Sequence, residues 1–525
     1  MLFLSYWQTI QAYPGNGGSY TVARENLGGR AGLLAAAALM LDYMLNVAVG
    51  ISAGVGALTS AVPALHGHAL PLCLVILAGI TVVNLRGTKE SGLVMAVPTY
   101  LFIALLGLAL GMGLWRVWGG DATPIIAPPI IAPPAVAPAA AGVTVWLVLR
   151  AFAAGCTAMT GVEAVSNGVG AFREPRVKHA HRTLTGIVLV LGALLLGVAY
   201  LSRAYGVTAM DETQPGYQSV LSQLVGAVRG RDWLYYVTIG SVIAVLSLSA
   251  NTSFVGFPRL CRQVAEDGYL PRAFAIPGRR LVYDAGMLFL AGGAAALLTV
   301  FGGITDRLIP LFAVGAFLSF TLSQAGMAQH WRSAAGGRVD RARLAVNGFG
   351  AVATAMALAI ILVAKFTEGA WLTLVIIPVT LLLLSGVRRY YEGLDRQVLL
   401  GSHRRMASEP TGAPLVLIPL ERWDQLARRA VRTGMSVSHD VLALHLTDLE
   451  GPDEATHTSR LKREWAAFVE QPARHAGVAV PRLVIEPSPY QSVLAPMLRA
   501  VAAERERSPG RPVLVLLAEL VGGRW

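Results

Sequence analysis

Ten separate apolar stretches, each a candidate to cross a bilayer as a helix once a few flanking residues are allowed at its ends, constrain this chain more than any motif does. They cover residues 31–64, 70–85, 93–115, 143–172, 184–201, 234–257, 285–301, 308–329, 345–364 and 371–384. A transmembrane helix needs about 20 such residues. Lipid offers the backbone no hydrogen-bonding partner, so spanning segments must satisfy themselves as helices or closed barrels. An eleventh run, residues 1–13, is apolar for too short a distance and reads as part of a helix. Composition agrees: 54% of residues are hydrophobic, 14% are charged and the mean hydropathy is +0.56, too apolar for an ordinary soluble protein. The formal charge of +12 does not indicate a nucleic-acid partner, because the cations fall in short groups between apolar runs.

Those groups report sidedness, since cytoplasmic loops carry excess Lys and Arg. One set of connectors holds Arg24 and Arg30; Arg86 and Lys89; Arg173, Arg176, Lys178 and Arg182; Arg259, Arg262, Arg272, Arg279 and Arg280; Arg332, Arg338, Arg341 and Arg343; and Arg388 and Arg389. The intervening connectors are poorer in basic residues, and the alternation holds at every crossing. A multi-pass protein of the plasma or inner membrane is expected, with its C-terminal region cytoplasmic. The Pro/Ala stretch 123–141 is expected to be an extended external spacer. No signal peptide is apparent. Cys73, Cys156 and Cys261 lack metal or disulfide spacing, and no cofactor or resident metal is expected.

Within the fourth stretch, GCTAMTGVEAVSNGVGAF (residues 155–172) carries a carboxylate, Glu163. A charge at mid-membrane depth costs roughly 2.5–3.5 kcal/mol even on lenient insertion scales, so such residues usually face a cavity and handle ions, protons or substrates. Thr157, Thr160, Glu163 and Asn167 follow one another by three, three and four, which in a helix puts them on one face. Gly155, Gly161, Gly168 and Gly170 weaken helix there, and broken backbone inside a membrane usually lines a cavity or binds something. The bland alternative is a protonated glutamic acid bonded to a neighbouring helix.

From about residue 388 the pattern becomes soluble. Short β-rich runs at 414–419, 441–446, 482–485 and 513–517 alternate with amphipathic stretches at 422–432, 459–471 and 490–506, so an α/β domain with a parallel sheet is expected. Two domains follow, 1–387 and 388–525, the second a regulatory or dimerisation module that is itself possible to read as truncated. No phosphate-binding loop or clustered nucleophile and base appears, so an enzyme is not expected.

Three fragments resemble known transporters. YPGNGGSYTVARENLG (13–28) is similar to the glycine-rich signature after the second helix of permeases in the amino acid, polyamine and organocation superfamily. NTSFVGFPRLCRQVAEDGYLPR (251–272) resembles the connector between helices eight and nine of that superfamily. GCTAMTGVEAVSNGV with FLSFTLSQAGMAQHW (317–331) resembles KUP-type potassium importers that carry a cytosolic α/β domain. The resemblance implies an all-α polytopic fold of two inverted five-helix repeats plus two helices, as in the LeuT fold, with helices one and six broken at mid-membrane. In that register the spans here are helices two to twelve, helix one is expected to be missing, and a late start in the gene would explain it.

The same resemblance places Thr160 and Glu163 at the helix six break, as hydroxyl and carboxylate of a potassium site. In helix three it implies hydroxyls where this chain has Asn46 and Gly50. An asparagine oxygen can ligate a hard cation; Gly50 contributes no side chain. Asp42, one turn before Asn46, is either a second carboxylate for a proton pathway or a link between helices, and Tyr43 is expected to pack. Ser247 and Asn251, and Ser319 and Ser323, are i, i+4 pairs that either line a pathway or bond between helices. The cluster Arg173, Arg176 and Lys178 is expected to set topology first and touch lipid second; His179 and His181 lack the neighbours of a metal site.

Proton-coupled uptake of a monovalent cation, most simply potassium, is therefore expected, with a homodimer and membrane lipids as further partners. The alternatives are an amino acid or polyamine permease, or a membrane sensor with a vestigial transport core. An acidic residue at the break opposes an amino acid's carboxylate and favours a cation.

Overall fold

A computed structural model of the chain describes residues 1–14, 18–86, 92–129, 145–156, 158, 160–161, 163–214, 216–276, 283–334, 337–399, 412–420, 422–447, 454–487, 494–508 and 510–517. The chain divides into two compact units, Met1–Leu400 and Gly401–Trp525.

The first unit is helical, in the order α1 (Leu2–Ala12), α2 (Ser19–Leu27), α3 (Gly29–Ala61), α4 (Ala69–Leu85), α5 (Gly92–Trp118), α6 (Val145–Cys156), α7 (Glu163–Asn167), α8 (Arg176–Tyr205), α9 (Val220–Arg229), α10 (Trp233–Glu266), α11 (Asp284–Val300), α12 (Thr305–Ser333), α13 (Arg338–Ala364) and α14 (Thr373–Leu399). Every apolar stretch contains helix, and among the described residues eight helices are long and apolar enough to cross a membrane. The polytopic reading stands.

Several details differ from expectation. The stretch 143–172 is two short helices, α6 and α7, rather than one span. Helix α10 continues through the first part of the 251–272 segment as far as Glu266, with Pro258 inside it. Helices α2 and α9 are too short to register as spans, and α9 starts on a capping bond in which the Ser222 amide donates to Ser219 Oγ at 3.3 Å. Helix α14 runs to Leu399, so residue 388 falls inside it, and Arg388 pairs with Glu392 one turn on at 2.7 Å.

Lipid tails are as apolar as leucine, so helices in a membrane gain little by hiding apolar surface from them and instead pack through small residues. Helices α3 and α12 form the centre, each with 72% of its most apolar window buried, against 11–39% for the other full-length spans. Glycines permit the closest approaches. A Cβ on Gly326 of α12 would lie 2.9 Å from the Val22 carbonyl oxygen of α2, and one on Gly50 of α3 would lie 3.1 Å from the Leu246 carbonyl of α10. Four apolar cores result among the described residues of this unit, two of them large. One joins α3, α4, α10, α11 and α14; the other joins α1, α7, α8 and α13, with α12 contributing to both. Polar bridges fix the register: Asn84 of α4 donates to Asn251 of α10 at 2.6 Å, and Ser5 of α1 donates to Asn347 of α13 at 2.6 Å.

The connection between α8 and α9 is anchored by Glu212, which accepts from the Thr305 amide at 2.5 Å and the Tyr217 hydroxyl at 3.4 Å. Burial, with Asp306 close by, raises the Glu212 carboxyl above its ordinary value. A carboxyl raised in the native state holds its proton more tightly when folded than when unfolded. Its contribution is therefore fully present below the unfolded value of about 4.3 and is lost as pH rises through the native one. Glu212→Gln keeps an acceptor for Thr305 and removes this titration. The variant's melting temperature should fall less steeply than the wild type's as pH rises from about 4 to 8, and equal slopes would remove Glu212 as the source.

The second unit is an α/β fold. Strands β1 (Leu415–Leu420), β2 (Val441–Thr447), β3 (Arg482–Pro487) and β4 (Val513–Val515) form a wholly parallel sheet of order β3-β2-β1-β4. Alternation along β1 serves both faces. Val416 and Ile418 pack under α15 (Gln425–Val437) and α16 (Glu454–Trp465), whereas Leu415 and Leu417 meet residues of α18 (Leu494–Arg507) on the other side. The short α17 (Gln471–His475) follows α16 through a wide turn. Asp440 at the start of β2 pairs with Arg511 at 2.7 Å and Arg482 at 3.2 Å, tying the strand ends together.

Candidate functional site

The break in the fourth stretch has a local cause. Helix α6 ends at Cys156, the chain turns at Thr160 and Gly161, and Gly161 adopts φ +92°, a conformation that favours glycine. Helix α7 then starts at Glu163, whose Oε2 accepts the Gly161 amide at 2.9 Å. The carboxylate thus satisfies backbone freed by the break. This corrects the expectation that Thr157, Thr160, Glu163 and Asn167 share one helical face: the described residues between α6 and α7, at 158, 160 and 161, are not α-helical, and of the four only Glu163 and Asn167 lie on α7. Thr160 sits half-buried in the turn, and Thr157 lies outside the described residues.

Glu163 is buried, and so is Asp42 of α3, within its electrostatic reach. Asp42 Oδ1 has no hydrogen-bond partner among the described residues. Asn167 Oδ1 and Ser319 Oγ share that condition, and the Tyr6 hydroxyl and Ser19 Oγ are buried nearby. They come together through the packing. Gly315 of α12 lies against the Asp42 backbone, Ser323 stands beside Tyr6, and Ser319 lies between them at successive i, i+4 steps of α12. Ser19 also stands beside Tyr6, and both Glu163 and Asp42 are within electrostatic reach of the Tyr6 hydroxyl. A buried polar atom without a partner is costly and calls for an explanation. Here each such atom is an oxygen, the donor type that hard cations take.

The other expected residues have different surroundings. Asn46 donates to Ser253 Oγ at 2.8 Å and to the Ser249 carbonyl at 3.3 Å, both on α10. Gly50 permits close approach of the same helix. Asn251 bridges α4 and α10 with Asn84, and Ser247 lies half-buried on α10. The structure thus joins Glu163, Asp42, Asn167, Ser319 and Ser323, and engages Asn46 and Asn251 between helices. Tyr43 does more than pack: Asn167 Nδ2 lies 3.5 Å from its hydroxyl, and both line a cavity of about 780 Å³ that extends along α10 to Arg259 and Glu266. Tyr6 and Ser19 were not singled out in the sequence. Their signal is a hydroxyl in an apolar run and another just after a glycine turn, which is common wherever helices meet.

Comparison with known proteins gives the family. Residues 1–383 match the profile of the amino acid permease family, and residues 412–525 match that of the KimA potassium transporter C-terminal domain. The potassium transporter KimA of Bacillus subtilis is 34% identical over all of this chain and 82% of its own length. The low-affinity putrescine importer PlaP of Escherichia coli is 24% identical over 62% of this chain and 70% of its own, and a probable potassium transport system protein Kup of Thiobacillus denitrificans is 24% identical over 74% and 62%. With a permease profile over its helical unit, a relative aligned end to end and an oxygen-lined cluster at a broken membrane helix, the chain belongs to the amino acid permease family of membrane transporters, in the branch that carries a KimA-type C-terminal domain.

Proposed function

We propose that this protein takes up potassium by coupling to the proton gradient, at a site formed by Glu163, Asp42 and the oxygens between α3, α7 and α12. One observation carries the reading: two buried carboxylates lie within electrostatic reach of each other beside buried oxygens, of which Asp42 Oδ1 and Ser319 Oγ have no partners among the described residues. A monovalent cation together with one proton balances the two acids, and the cation takes up the lone pairs. Full-length similarity to a potassium transporter supports this choice of ion. A carboxylate near a cation favours its ionised form, so ion occupancy and protonation at Glu163 and Asp42 are linked, and uptake with a proton needs one acid to hold the ion while the other carries the proton. The basic connectors and the C-terminal unit lie in the cytoplasm of a cell membrane in this proposal, and a homodimer forms through the second unit.

The test is uptake into a host lacking its own potassium importers, with putrescine as the comparison because it too is cationic and a relative imports it. Potassium uptake driven by a proton gradient supports the proposal. Putrescine uptake without rescue on low potassium would replace it with polyamine import.

Gly161→Ala tests the helix break. A Cβ there meets nothing within 4 Å, so the penalty comes from backbone conformation alone, on the order of 1–2 kcal/mol. The variant should reach the membrane, melt slightly lower and transport several-fold more slowly as the Glu163 bond to the Gly161 amide is disturbed. Wild-type uptake in this variant would show that the left-handed turn is dispensable.

A further inference from the structure

A groove of about 840 Å³ lies between α1 and α8, lined among others by Trp7, Lys178, His181, Arg182, Gly186 and Leu189. Its chemistry changes along α8. The first two turns, RVKHAHR, are basic, and from Gly186 to Tyr200 the helix carries no charged residue. Lys178 and Arg182 are one turn apart and exposed, and neither has an ion pair among the described residues. Leu189, two turns further on, is 67% exposed, as apolar side chains facing lipid are. The groove therefore spans the step from headgroups to hydrocarbon.

The wall opposite is built rather than incidental. The Trp7 and His181 rings stack with centroids 3.8 Å apart and planes 12° apart, and His181 Nε2 donates to the Trp7 carbonyl at 2.9 Å. A carbonyl only accepts, so Nε2 carries the proton. This contact pins α1 to α8 and places an aromatic wall at the depth where tryptophan favours the membrane interface. Gln11, also in the groove, accepts from Arg343 of α13 at 3.3 Å, which brings a third cation to its rim.

We infer that this groove binds an anionic phospholipid. Lys178 and Arg182 hold the phosphate, and an acyl chain lies over Gly186 and Leu189 beside Trp7. A soluble anion matches only the basic half; an amphiphile matches both. The inference rests on α8 crossing the membrane and is independent of which substrate is carried.

The full chain would be purified into phosphatidylcholine nanodiscs, and binding of labelled phosphatidylglycerol compared for the wild type, K178A/R182A and the control pair R332A/R389A. Each interfacial cation contributes about fivefold, so K178A/R182A should bind roughly 25-fold more weakly. The control, which removes the same charge elsewhere, should bind as the wild type does. K178R/R182K, which keeps the charge, should retain the lipid and excludes misfolding as the cause. Equal binding by K178A/R182A and wild type would overturn the site. Displacement by millimolar inorganic phosphate would overturn its assignment to lipid.

Discussion

Glu163→Gln should abolish potassium uptake while leaving the protein folded. The carboxamide keeps the size of the side chain and an oxygen to accept the Gly161 amide, so helix α7 can still begin where it does. What disappears is a unit negative charge in a buried setting. At an effective dielectric near 20, a charge about 4 Å from a cation contributes about 4 kcal/mol, close to three orders of magnitude in affinity. At subsaturating potassium, uptake should fall by on the order of 100-fold or more. Asp42→Asn should fall in the same direction, because the two carboxylates serve one cluster. Both variants would be checked for folded protein by size-exclusion chromatography. Uptake within twofold of wild type in Glu163→Gln would end the proposal that this carboxylate holds the ion.

The second large effect concerns packing and separates two glycines of the central region. Gly326→Ala places its methyl 2.9 Å from the Val22 carbonyl oxygen and 3.2 Å from the Val22 carbonyl carbon, so the backbone of α2 itself must move. Overpacking of this kind costs about 1–3 kcal/mol. Gly350→Ala looks worse, because its methyl would run into Gln324 Oε1. That atom, however, ends a flexible side chain whose buried amide has no hydrogen-bond partner among the described residues, so it can swing aside. Gly326→Ala should lower the yield of folded protein and its melting temperature clearly more than Gly350→Ala does. The reverse order, read from thermal melts of both variants, would show that α2 yields more readily than Gln324.

What the sequence revealed follows the range of the forces involved. Apolar length is written along the chain, so spans such as 308–329 and 345–364 were legible. So was the parallel sheet, because strand and helix alternate with their own periods. The break at Glu163 was legible because glycines and a carboxylate interrupt an apolar run, but its form was not. Spacing counted in helical turns assumes the helix continues, and α6 ends at Cys156, ahead of the turn at Gly161. Asn46 and Asp42 are one turn apart, the first expected as a ligand and the second as a proton carrier or a link between helices; only the approach of α10, permitted by Gly50, shows that Asn46 is engaged between helices. Tyr6 and Ser19 were hidden for a similar reason. A lone hydroxyl in a membrane helix has no recognisable role until its neighbours from distant segments are known.

The separation of the two largest apolar cores of the helical unit has a mechanical consequence for the two acids. Asp42 stands on α3, in the first core, and Glu163 stands on α7, in the second. Any relative displacement of the cores therefore changes the separation of the two carboxylates. Like charges on opposite sides of a seam push it apart, and a cation between them draws it together. The acid pair would then act as a spring whose sign is reversed by its cargo, so that the force moving the bundle and the affinity for the ion are the same interaction measured along two coordinates.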